Sequence, residues 1–121
     1  MIRIAMVQGS LEMTFTKRGL STLMTALETV LESGESTIPE LIFTYAGEDR
    51  MLNLILDTTS DNCFKVRKHE IIVSIEREDI EDSLLRFEAE KNFTELYPEW
   101  IQAVNLANKK NTYIYVSLEP G

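Results

Sequence analysis

"LEMTFTKRGLSTLMTALETVL", residues 11–31, changes its hydrophobic period halfway along. Leu11, Met13 and Phe15 alternate with Glu12 and Thr14, which is the spacing of a strand with one buried face. After Thr16 the apolar residues stand at Leu20, Leu23, Leu27, Val30 and Leu31, one face of a helix, and Gly34 follows where a left-handed cap residue belongs. A strand that passes directly into a helix excludes an all-α and an all-β chain.

On the amino-terminal side, residues 2–7 alternate as well, and Gly9-Ser10 joins them to residues 11–15 as a β-hairpin. On the other side, Pro39 opens a new phase. Strand-like runs at 41–46, 51–57, 63–68 and 70–76 are joined by short polar segments, so they read as antiparallel neighbours in a meander. A second helix follows, with Asp79 as cap, Glu81 and Asp82 in its first turn beside the positive end of the dipole, and Ile80, Leu84 and Phe87 inward. Pro98 then predicts a third helix, with Trp100, Ile101, Val104 and Ala107 buried and Lys109-Lys110 in its last turn. Residues 113–118 alternate again as a final strand, stopped by Pro120. The expected fold is α+β, in the order β-β-α-β-β-β-β-α-α-β: an antiparallel or mixed sheet of about six to seven strands with two to three helices packed on one face. Residues 1–121 read as a single domain without an internal repeat.

Composition narrows the function. With 44% hydrophobic and 26% charged residues in 121 positions, the chain matches a globular domain able to bury one core. Cys63 is the lone cysteine, so no intramolecular disulfide forms and a reducing cytoplasm is expected. The amino terminus is broken by Gln8, Gly9, Ser10 and Glu12, too early for a signal-peptide core or a membrane span. A net charge of −8 disfavours direct contact with nucleic acid, and Lys65, Arg67 and Lys68 read as the solvated side of a strand.

No catalytic, cofactor-binding or metal-binding motif emerges. Cys63 and His69 stand six positions apart near opposite ends of one run, about 20 Å if extended, so they do not form a dyad. The loop from Asp57 to Asn62 is rich in oxygen donors but lacks the glycine and distant Glu of a calcium loop. Carboxylates around Asp57 and Asp61, with His69, are the one constellation on which a small enzyme would rest.

The remaining signal is charge. "EREDIEDSLLRFEAE", residues 76–90, holds seven acids against two bases, and the window 76–99 holds nine acids against three bases, −6 of the chain's −8. Such a concentration steers a basic partner and raises its association rate. Phe93, Leu96, Tyr97 and Trp100 follow, supplying aromatic anchors beside the acids. The predicted partner surface comprises Glu78, Asp79, Glu81, Asp82, Glu88, Glu95, Tyr97 and Trp100.

A small acidic α+β chain without catalytic motif, whose first half runs "LEMTFTKRGLSTLMTALETVL", resembles the immunity proteins of bacterial polymorphic and contact-dependent toxin systems. The likeness covers roughly the first half and the general character of the rest, and it carries no signature motif. It implies a cytoplasmic protein that neutralises one cognate toxin, commonly a basic nuclease, by binding at or beside its active site. The alternative is a structural or adaptor subunit that forms a homodimer or larger oligomer by strand pairing through Ile2–Val7 or Tyr113–Leu118.

Overall fold

The computed structural model describes residues 2–119. Eight strands close into a barrel: β1 (Ile2–Val7), β2 (Ser10–Phe15), β3 (Glu35–Tyr45), β4 (Glu48–Thr58), β5 (Cys63–Val66), β6 (Glu70–Ile75), β7 (Glu99–Asn105) and β8 (Lys110–Leu118). Two helices interrupt them, α1 (Lys17–Ser33) after β2 and α2 (Arg77–Glu90) after β6. The order around the barrel is β1-β2-β8-β7-β5-β6-β4-β3, with β3 returning to β1. Antiparallel hairpins alternate with parallel junctions the whole way round.

This α+β fold departs from the expected one in four respects, the first being that the four middle runs do not form an antiparallel meander: β4 and β5 are not neighbours, and β4 pairs in parallel with β6, which lies between them. The sheet has eight strands and closes on itself, because β2 pairs with β8 and β1 with β3, contacts between residues far apart in sequence. Closure leaves the helices an end of the barrel to cover, in place of one sheet face. The third helix is the strand β7. A register shift between Glu99 and Ile101 turns both Trp100 and Ile101 inward, and that pair followed by Ala103 imitates a helical stripe. Closure also occupies both edges on which the oligomeric alternative rested, since β1 lies between β2 and β3, and β8 between β7 and β2. Pro120, expected to stop the last strand, lies outside the described residues.

The interior explains the alternation in the sequence. Leu11, Met13, Phe15, Leu52, Leu54, Leu56, Ile71, Val73 and Ile75 all point inward and are buried. An eight-stranded barrel is just wide enough for such side chains to fill it, so it is a packed core without a channel. α1 and α2 each join strand ends at the same end of the barrel, and α1 packs against α2. Leu20, Leu23, Leu27 and Val30 of α1, with Ile80 and Phe87 of α2, belong to the same core as the barrel lining.

A repeat that residue identities do not display emerges from this topology. Each half of the chain is a ββαββ unit, and equivalent inward residues stand sixty positions apart: Leu11 and Ile71 (71 − 11 = 60), Met13 and Val73, Phe15 and Ile75, Leu20 and Ile80, Leu27 and Phe87, Leu54 and Ile114. The two strand irregularities, between Ile38 and Leu41 and between Glu99 and Ile101, fall at matching places. What repeats is the inside-outside pattern, and that pattern suffices to specify a strand's face.

Candidate functional site

The helix end of the barrel carries the acidic window. α2 begins at Arg77 with Glu76 as its N-cap residue, so Asp79 lies inside the first turn and is not the cap. Glu78 and Asp79 in that turn face the positive end of the helix dipole. Ile80, Ser83 and Phe87 form the buried stripe, with Leu84 partly buried beside it. That phase leaves Glu78, Glu81, Asp82, Leu85 and Glu88 on the solvent side.

Leu85 is the unexpected member. It is 73% exposed. Residues three or four positions apart on a helix are neighbours, so Glu81, Asp82 and Glu88 surround it. α2 therefore presents one apolar side chain inside a ring of carboxylates. The signal was present in the sequence: Leu85 stands two positions before Phe87 and five after Ile80, off the buried stripe, with acids at both helical spacings.

The eight expected partner residues separate into two groups. Glu78, Glu81, Asp82, Glu88, Glu95 and Tyr97 are exposed. Asp79 is half-buried, and its Oδ2 accepts a hydrogen bond from Asn62 Nδ2 at 2.6 Å. The same Asn62 side chain donates to the Gln102 carbonyl at 3.2 Å and accepts from the Glu76 N–H at 2.7 Å, so it ties α2 to β7. Trp100 is only 7% exposed; its Nε1 donates to Ser83 Oγ at 2.8 Å and its ring lies 5.7 Å from that of Phe87. Buried against α2, Trp100 is a core residue and not a surface anchor. Of the four clustered apolar residues, Leu96 and Trp100 go inside while Phe93 and Tyr97 stay exposed.

Arg86 holds Tyr97 in place. Its guanidinium donates to the carbonyls of Tyr97 and Glu99 and pairs with Glu90 at 2.6 Å. The other Glu90 oxygen accepts from the Tyr97 N–H at 3.0 Å, and the guanidinium lies 5.7 Å from the Tyr97 ring centre. A charged, hydrogen-bonded clamp of this kind fixes the segment between α2 and β7, so Tyr97 projects from a defined backbone.

Beside this surface, a groove of about 830 Å³ runs over the outer face of β7. Asp61, Asp79 and Glu99 line one part and Val104, Leu106 and Tyr113 another, and its lining contains no Lys or Arg. The groove continues the negative character of α2 onto the barrel wall. Asp61 lines it too, but His69 does not approach: Asp57 and Asp61 lie at the helix end, while His69 lies in the β5–β6 turn at the opposite end. The carboxylate-histidine constellation is thus not assembled. Among the described residues, no group of three or more His, Cys, Asp or Glu is arranged to hold a metal ion, and no helix is long and apolar enough to cross a membrane.

Comparison of the chain with protein-family models, with curated proteins and with solved structures finds no match.

Proposed function

We propose that this protein is a non-catalytic, immunity-type inhibitor that captures a basic toxin domain, a nuclease being the expected kind, on the outer face of α2. One observation carries the reading: Leu85 stands exposed among Glu81, Asp82 and Glu88, its neighbours on the helix surface, with Glu78 two turns before it. Interfaces concentrate their energy in a desolvated apolar anchor surrounded by a polar rim. Here the rim is uniformly acidic, so it aligns a basic surface and accelerates the encounter while Leu85 provides the contact that slows release. Tyr97, held by Arg86, and Glu95 extend the surface along the segment that follows the helix. The proposed setting is the bacterial cytoplasm, and the proposed mode of action is occlusion of the toxin's active site.

The test is capture of the cognate partner by tagged protein, followed by association kinetics. The triple variant E78K/E81K/D82K is expected to slow association at low salt by about tenfold or more, in the range that steering provides. Leu85→Ala is expected to raise the dissociation rate with little change in association. Both variants should melt within a few degrees of the parent, because the substituted side chains are exposed. Binding that is unaffected by either change removes the proposed mechanism.

A further inference from the structure

The groove over β7 has a counterpart in the first half of the chain, and the two differ. Arg3, Pro39, Ile42 and Met51, sixty positions before Cys63, Glu99, Gln102 and Asn111, line a cavity of about 280 Å³, against about 830 Å³ for the groove. Register explains the size. Arg3 is the partner of Ile42 across the parallel junction of β1 and β3, whereas Cys63 is the partner of Val104, two positions beyond the equivalent residue, Gln102. β5 has slid along β7 and leaves the first residues of β7 without a strand beside them. Side chains take the strand's place: Asn62 donates to the Gln102 carbonyl at 3.2 Å, and Arg86 to the Glu99 carbonyl at 2.6 Å.

The lining changes along with the register. Where the smaller cavity has Arg3 the groove has the small thiol of Cys63, and where it has Pro39 the groove has Glu99. Among the described residues, the charged side chains that line the groove are Asp61, Asp79 and Glu99. Asp79 is engaged by Asn62 at 2.6 Å, while Asp61 and Glu99 make no ion pair among the described residues. The remainder is largely apolar, with Val104, Tyr113 and Leu106, the last 43% exposed. From Glu99 to Leu106 the strand covers about 20 Å, the length of about six extended residues.

We infer that the groove receives an extended segment of the basic partner, with arginine or lysine against Asp61 and Glu99 and apolar side chains on Val104, Leu106 and Tyr113. The inference rests on the proposed function for the partner, and Asp79 and Tyr97, which line the groove, join it to the acidic face of α2. Charge selects the occupant. An acidic segment is repelled by the lining, and a purely apolar one would cover Asp61 and Glu99 without giving them a partner, which costs more than it gains. Every second side chain of an extended segment lies on one face, so basic residues at one end and apolar residues at the other meet both parts of the groove from a single strand. α2 attracts the partner as a whole, whereas the groove reads one segment of it, and discrimination between related partners resides there.

Cys63 reports occupancy, because it lines the groove, is half-buried and is the chain's lone cysteine. The probes are the peptide acetyl-Arg-Ser-Arg-Ser-Val-Ser-Val-Ser-amide and its reversed sequence, added to the full chain while alkylation of Cys63 by N-ethylmaleimide is followed by mass spectrometry. At least one of them at saturation is expected to slow alkylation about tenfold, and the same peptides with Glu in place of Arg should leave the rate unchanged. D61N/E99Q is expected to weaken the protecting peptide about tenfold, whereas E28Q/E32Q, which removes the same charge from the exposed side of α1, should not. Alkylation unaffected by either basic peptide overturns the inference, as does equal protection by the acidic peptides or equal weakening by the two variants. If the peptides fail while E78K/E81K/D82K still slows association of the captured partner, the groove inference falls and the proposed function stands. Protection by a basic peptide with no effect of that variant on the partner keeps the groove and removes the α2 mechanism.

Discussion

At the position where the first half of the chain buries Leu23 on α1, the second half buries Ser83 on α2. The volume lost is recovered from the next strand, where Trp100 folds inward, packs on Phe87 and donates its indole N–H to Ser83. α1 is closed at both ends by its own residues: Thr16 Oγ1 accepts from the Gly19 N–H at 3.0 Å, and Gly34 adopts φ 87° as the left-handed cap. α2 has no side-chain cap and instead is fixed from outside, by Asn62 at its start and by the Arg86–Glu90 clamp at its end. One ββαββ plan thus serves two ends. In the first half the helix is mainly core, with six buried positions; in the second it has three and gives its outer face to charge. Attachment to the barrel through polar contacts leaves the surface of α2 free to carry carboxylates that a deeply packed helix could not.

The sharpest way to break this comparison is to truncate the core side. Leu27→Ala, fully buried on α1, is expected to cost about 2–5 kcal/mol, against less than about 0.5 kcal/mol for Leu85→Ala on α2, both read by urea unfolding. Equal losses would show that α2 is as deeply structural as α1. A smaller effect is expected from Arg86→Met, about 1–3 kcal/mol, because the carbonyls of Tyr97 and Glu99 and the Glu90 carboxylate lose their common donor. Its signature is local: amide exchange at Tyr97 should accelerate while that of α1 stays protected. The smallest change is expected from rearranging the halves. β1 and β8 both flank β2, the Glu119 N–H donates to the Phe15 carbonyl at 2.7 Å, and Arg3 lies 3.7 Å from Glu119. A circular permutant that joins the termini with a short linker and opens at Ser60 exchanges the order of the two units. It should retain the parent circular dichroism spectrum with only a modest loss of melting temperature, and a molten permutant would show that the units are not interchangeable.

Much of this was legible in the sequence where the signal is local. The β1–β2 hairpin, α1 with its Gly34 cap, and the existence of the four middle strands follow from alternation and helical spacing within windows of a dozen residues; the parallel pairing of β4 with β6 does not, because short connections suggest an antiparallel meander. The misreading of β7 has a physical cause: the irregularity at Trp100 sets two successive side chains inward, and Pro98 with Lys109-Lys110 supplies the ends a helix would have. In the equivalent place of the first half, Pro39 and Glu40, the latter at φ 54°, interrupt β3 and hide its first residues. The repeat was invisible because the matched inward residues, such as Leu11 and Ile71 or Leu27 and Phe87, are apolar in both halves but not identical. The charge of the α2 surface could be read directly. So could the outward position of Leu85, off the stripe of Ile80, Leu84 and Phe87; the burial of Trp100 against Ser83 could not, because it depends on how β7 packs on α2.

The parallel junction between β2 and β8 has a consequence for how the protein is made. Leu11 and Ile114 are register partners, 103 positions apart, so the seam closes only when β8 has left the ribosome. Until then the strands form an open sheet, β2-β1-β3-β4-β6-β5-β7, with hydrogen-bonding groups of β2 and β7 unsatisfied by any neighbour. Open edges of this kind pair indiscriminately, and contacts of such high sequence separation form slowly. The nascent chain is consequently vulnerable until β8 emerges, and chaperone demand should depend more on elongation through β8 than on the stability of the closed barrel.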